Sequence, residues 1–111
     1  MYARIARFEG LDPSRIDEDI ADMKRQMDAG RSGELPEGAP DEARDLMETV
    51  MRWVQLVDRN EGKAIGIAFS ESEADARRAD EALNAMSPGE GQGRRIGKAE
   101  IYEVVLDESF G

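Results

Sequence analysis

Apolar positions along this chain follow two periods. Where they alternate with polar or small residues the period is two and predicts a strand, and where they recur every third or fourth residue it predicts a helix. The strongest stretch of the first kind covers residues 50–69. Residues 50–57 are rich in β-branched and apolar side chains, residues 58–62 (Asp-Arg-Asn-Glu-Gly) carry turn chemistry, and residues 64–69 resume the strand pattern, so a β-hairpin is expected. In its second strand Ile65, Ile67 and Phe69 share one face and Ala64, Gly66 and Ala68 the other. A row of such small side chains lets a helix, a ligand or another backbone come close.

Before the hairpin, residues 2–9 alternate Tyr2, Arg4, Ala6, Phe8 against Ala3, Ile5, Arg7, Glu9, which predicts a first strand with two unlike faces. Leu11-Asp12-Pro13 marks a helix start: Asp12 can accept from free N–H groups, Pro13 suits the first helical position, and Leu11 can staple onto Ile16. Ile16, Ile20, Met23 and Met27 then form one apolar stripe. Residues 30–40 turn to Gly, Pro, Ser and Glu and predict a loop. Asp41 caps a short helical stretch through Met47, or one continuing to Met51.

After the hairpin, Ser70 and Glu73 have capping-box spacing for a second main helix, whose inner stripe is Ala76, Ala79, Leu83 and Met86, thickened by Ala82. Residues 87–93 break that helix with Pro and Gly, and residues 96–106 predict a last strand.

The order strand, helix, strand, strand, helix, strand predicts an α+β fold of the ferredoxin-like βαββαβ kind, a four-stranded antiparallel sheet with two helices on one face. The 111 residues suffice for a single domain, 1–111, with a loop insertion at about 30–40. The second strand carries apolar residues on both faces (Met51, Trp53, Val57 and Val54, Leu56), and the last strand is similar. Two helices cover one face, so the other needs a partner, and the expectation is a two-fold homodimer through the open sheet face.

Composition narrows the chemistry. The chain has no cysteine and no histidine, which removes thiolate nucleophiles, disulfides, Cys/His zinc sites and His-ligated haem. A net charge of −10 repels phosphate backbones and anionic headgroups, so neither nucleic acid nor a membrane is expected as a partner. With no apolar run of spanning or signal length, the expected location is cytoplasmic.

The chain as a whole resembles the dimeric α+β barrel superfamily that includes the antibiotic-biosynthesis-monooxygenase-like (ABM-like) proteins. The resembling residues are 1–10 (Met-Tyr-Ala-Arg-Ile-Ala-Arg-Phe-Glu-Gly), Leu56-Val57-Asp58-Arg59 with Glu61-Gly62-Lys63, Phe69-Ser70-Glu71-Ser72-Glu73 with Ala76, and Ile101-Tyr102-Glu103-Val104. The loop at 30–40 departs from the pattern. The resemblance implies a dimeric α/β barrel and, in some members, cofactor-independent oxidation of aromatic substrates. Haem-degrading members need a histidine that this chain lacks.

Trp53, Tyr102, Arg4 and Asn84, with Tyr2, are the residues that could orient a small aromatic or enolate-like ligand, by stacking, hydroxyl donation, charge and amide hydrogen bonding. No catalytic motif of the family maps onto them, and core or interface packing is the plainer role for the aromatics. Asn84 is most simply a surface residue. Arg7, Glu9, Glu100 and Glu103 read as cross-strand ion pairs. Residues 58–62 lack the later positions of a calcium loop, Asp17, Glu18, Asp19 and Asp22 spread around a helix, and Gly89, Gly91 and Gly93 follow a helix rather than a strand, so no metal or nucleotide site and no cofactor is expected. The leading expectation is a small dimeric α+β barrel protein without a catalytic signature. The alternatives are a monooxygenase-like enzyme and a small-molecule binding module, each acting on a small aromatic or polyketide-like compound.

Overall fold

The computed structural model describes residues 1–31, 41–86 and 93–111. Most of the loop expected at 30–40 and of the connection at 87–93 lies outside the described residues. The elements run β1 (Tyr2–Glu9), α1 (Ile16–Arg31), α2 (Asp41–Thr49), β2 (Arg52–Asp58), β3 (Lys63–Ser70), α3 (Glu73–Ala85) and β4 (Arg94–Glu103). The strands form one open antiparallel sheet in the order β2-β3-β1-β4. This is an α+β architecture compatible with the ferredoxin-like arrangement; the described residues hold three helices, the two main ones and the short one expected after Asp41. The short stretch after Asp41 is a helix of nine residues, ending at Thr49, whose hydroxyl donates to the Asp45 carbonyl oxygen at 2.6 Å.

The hairpin forms as its turn chemistry requires. Asp58 pairs with Lys63, its Oδ1 accepts from the backbone N–H groups of Asn60 and Glu61 at 3.1 Å each, and Gly62 takes a left-handed φ of 63°. The Gly62 carbonyl oxygen accepts from Leu11 N–H at 3.0 Å, and Arg59 meets Asp17 at 2.6 Å, so the turn anchors the entry to α1.

Two helix starts differ from expectation. Asp12 caps a separate turn, accepting from the Ser14 N–H at 3.0 Å and the Ser14 hydroxyl at 2.7 Å, and the helix begins three residues after Pro13, at Ile16. The cap of α3 is Ser72, not Ser70: its hydroxyl accepts from Asp75 N–H at 3.1 Å. Ser70 is still the last residue of β3, paired with Tyr2 and two residues short of the cap position. The last strand also ends early, at Glu103, because β1 has no further residues to pair beyond Met1, whose carbonyl accepts the Val104 N–H at 2.9 Å.

Register assigns the two faces of the sheet. Tyr2, Arg4, Ala6 and Phe8 stand opposite Ser70, Ala68, Gly66 and Ala64, and the last three of these meet Trp53, Gln55 and Val57 on β2. This is the covered face. Ala64, Ala68 and Ser70 are buried on it, and so are Ala76, Ala79 and Ala82 of α3, which packs against β1, β3 and β4. The small side chains on both partners set the close approach of helix to sheet. The other face carries Ala3, Ile5 and Arg7, then Phe69, Ile67 and Ile65, then Arg52, Val54 and Leu56, with Tyr102, Glu100 and Ile96 on β4. Its large apolar side chains are only half buried, and Leu56, Ile96 and Tyr102 are exposed.

Candidate functional site

The covered face carries three of the four principal candidates and joins two of them, Arg4 and Asn84. Arg4, Ala68 and Trp53 stand in one row across β1, β3 and β2. Arg4 is 4% exposed, and a guanidinium held that far from water needs partners for its charge and its fork of donors. It finds them on α3: Nε donates to Asp80 Oδ1 at 2.8 Å and Nη2 to Asn84 Oδ1 at 3.2 Å. Asp80 and Asn84 are one helical turn apart and so project together, and Asn84 Nδ2 donates in turn to Asp80 Oδ2 at 3.3 Å. Arg95 of β4 also donates to Asn84 Oδ1. Asn84 is exposed, as expected of a surface residue, and accepts from two guanidinium groups.

The cluster carries two cations, Arg4 and Arg95, against one carboxylate, Asp80, and its net charge is positive in a chain that is otherwise strongly acidic. The sequence spaced Arg4 and Asn84 eighty residues apart and gave no signal that they meet; Asp80 was missed altogether. The one available signal was the i, i+4 spacing of Asp80 and Asn84 beside the buried alanine stripe.

Trp53 sits farther along the same face. Its indole N–H donates to Gln55 Oε1 at 3.1 Å, and its ring lies over Gly66, where an added Cβ would stand 3.1 Å from Trp53 Cζ2. Gly66 is therefore the seat for the indole, which fills space against the backbone of β3.

Tyr102 is on the opposite face. It pairs with Ala3, is 48% exposed, and donates its hydroxyl to Glu100. The carboxylate beside it raises the Tyr102 phenol above its ordinary pKa, and the same hydrogen bond, with help from Arg7, holds Glu100 below the usual carboxylate range. Tyr2 is likewise raised, chiefly by the charge of Glu103, whose carboxylate accepts its hydroxyl at 3.4 Å. A phenol raised in this way stays protonated at neutral pH, so neither tyrosine is prepared as a base.

Two of the three strand carboxylates form the expected cross-strand ion pairs, Glu100 with Arg7 at 2.8 Å and Glu9 with Arg94, whereas Glu103 accepts from the Tyr2 hydroxyl and has no cationic partner among the described residues. Among the described residues no group of three acidic side chains is arranged to hold a metal ion. Two clefts open on the surface. One, of about 400 Å³, lies at the far end of β1 among Glu9, Gly10, Glu61, Lys63, Gly93 and Arg94. The other, of about 290 Å³, follows the β2–β3 pair from Leu56 to Ile65. Neither is lined by Trp53, Tyr102, Arg4 or Asn84. No described helix is long and apolar enough to cross a membrane. No family model matches the chain, and no curated protein matches it.

Proposed function

We propose that this chain works as a homodimer of the dimeric α+β barrel kind, in which two copies stack their open sheet faces and exert their function through that assembly. The observation that carries this reading is the open face itself: Ile5, Val54, Leu56, Ile65, Ile67 and Phe69 form an apolar sheet surface, half-buried to exposed, that no described helix covers. A patch of this kind on a small protein marks an association surface. Stacking through it would give the self-complementary contact that a two-fold axis requires. Multi-angle light scattering tests the proposal: the expected mass is twice the 12.3 kDa of one chain, and a stable monomer at micromolar concentration sinks it.

A second reading draws on the positive Arg4–Asp80–Asn84–Arg95 network. A cofactor-independent monooxygenase-like enzyme, or a binding module for a small aromatic or polyketide-like compound, would use it to receive an enolate-like oxygen with Trp53 alongside. Oxygen uptake and thermal shift with simple phenolic compounds test it. Ligand-dependent stabilisation that disappears in Arg4→Met favours this reading, and identical behaviour of the two proteins rejects it.

A further inference from the structure

Beyond β4 the chain continues through residues 104–111 with no cover of its own. Val105 is 83% exposed, Leu106 75% and Phe110 96%, three large apolar side chains within six residues. Among the described residues none covers them. The same arm carries Asp107 and Glu108, which have no cationic partner among the described residues. At the opposite edge of the sheet, on the open face, Arg52 lies over the Phe69 ring at 5.6 Å and has no carboxylate partner among the described residues, and its neighbour Met51 is 61% exposed. An apolar acidic arm and an apolar basic strand start are therefore both left without partners on one molecule.

Symmetry brings them together. The sheet order β2-β3-β1-β4, with every neighbour antiparallel, makes β2 run parallel to β1 and opposite to β4, so β4 ends at the same end of the sheet where β2 begins. If two such sheets stack about a two-fold axis parallel to the strands, the order reverses across the interface and strand directions are kept. The end of β4 in one copy then lies over the start of β2 in the other. Stacked sheets sit about 10 Å apart, and the residues from Val104 to Phe110 reach roughly 20 Å when extended, so the arm spans the gap with length to spare.

We infer that residues 104–111 cross to a second copy of this chain and lie along the start of its β2, with Asp107 and Glu108 against Arg52 and with Val105, Leu106 and Phe110 against Met51 and the adjoining open face. The inference rests on the dimer reading above and adds to it a reciprocal exchange of arms, which closes the edge where β2 would otherwise present unpaired backbone groups.

Because the chain has no cysteine, engineered thiols report single pairs. Chains carrying Arg52→Cys and chains carrying Asp107→Cys, co-expressed and mildly oxidised, are expected to give a disulfide between the two variants as the main product. Asp107→Cys with Lys24→Cys, on the exposed side of α1, is expected to give none. In parallel, the triple variant Val105→Ser, Leu106→Ser, Phe110→Ser is expected to keep the circular dichroism of the parent, since these side chains are largely exposed in the monomer. Its dimer dissociation constant is expected to rise about a hundredfold. A parent protein that is monomeric overturns both the dimer and the arm. A parent dimer whose triple variant has an unchanged dissociation constant, or whose Arg52→Cys and Asp107→Cys chains form no mutual disulfide, overturns the arm and leaves the dimer standing.

Discussion

On β3 the two faces of the sheet are built from opposite kinds of side chain. On the covered face, Ala64 and Ala68 of β3 and Ala76, Ala79 and Ala82 of α3 are small and buried where the helix packs on the sheet, Gly66 lies under the Trp53 indole, and the buried Arg4 is tied down by Asp80 and Asn84. On the open face of the same strands stand Ile65, Ile67 and Phe69, half exposed, with Ile5, Val54 and Leu56 beside them. Small residues mark the surface that the chain fills by itself, because a helix backbone can approach only where side chains are short. Large residues mark the surface it leaves open. Bulk on a strand therefore reports the distance of what lies above it and not merely how much it is buried.

The largest expected effect tests closeness on the covered face. Ala79→Leu inserts three carbons where the helix meets the sheet and is expected to destabilise the fold by about 3 kcal/mol, read as a lower urea midpoint with an unchanged slope. Loss of no more than a few tenths of a kcal/mol would show the helix to be loosely seated. Next is Arg4→Met, which strands Asp80 beneath the helix. Asp80 keeps some contact with water, so a cost of about 2 kcal/mol is expected, and the double variant with Asp80→Leu is expected to recover part of it, as a double-mutant cycle would measure.

Removing the cap in Ser72→Ala is expected to cost about 1 kcal/mol in chemical denaturation, while Ser70→Ala, at the position first read as the cap, is expected to leave stability unchanged or slightly raised because its buried hydroxyl has no partner. On the open face the contrast is sharpest: Leu56→Ser is expected to change monomer stability by less than about 0.5 kcal/mol, since the side chain is already half in water, and to show itself as weaker self-association in light scattering.

The smallest effect is with pH. Asp17 is held below its ordinary pKa by the Arg59 hydrogen bond, Asp12 by the Ser14 hydroxyl, and Glu100 by Tyr102 and then Arg7. A carboxyl whose folded pKa is depressed contributes stability that is full above its unfolded pKa and is lost as pH falls through the folded one. The melting temperature is therefore expected to be flat near neutrality and to drop on acidification through and below the ordinary carboxylate range. Arg59→Gln should remove the share belonging to Asp17, a small one because both side chains are largely exposed.

Much of the fold was legible because it is written locally. The alternation in residues 2–9 and 64–69 and the turn chemistry of Asp58 and Gly62 gave strands and hairpin within a residue or two, and the Ala76–Ala79–Leu83 stripe gave α3. The errors fall where a local signal has competitors. Pro13 and Asp12 signal a helix start, but a turn capped by Asp12 satisfies the same donors, and α1 begins at Ile16. Ser70 and Ser72 both offer a hydroxyl, and pairing of Ser70 with Tyr2 decides between them. For α2 the sequence left the end open between Met47 and Met51; its packing on α3, strengthened by Arg78 against Asp45 and Glu48, accompanies an end at Thr49.

The candidate residues divide in the same way. Sequence could say that Arg4, Trp53, Tyr102 and Asn84 carried usable chemistry, since that is a property of side-chain type. It could not say which of them meet, since Arg4 and Asn84 are joined through strand order and helix packing while Tyr102 is turned away by a register in which neighbours alternate faces. Period, turn residues and charge are one-dimensional and so belong to the chain. The pairing of β1 with β3 and β4, and with it the burial of one guanidinium under a helix, is a matter of distances between residues far apart in the sequence, which only the packed molecule decides.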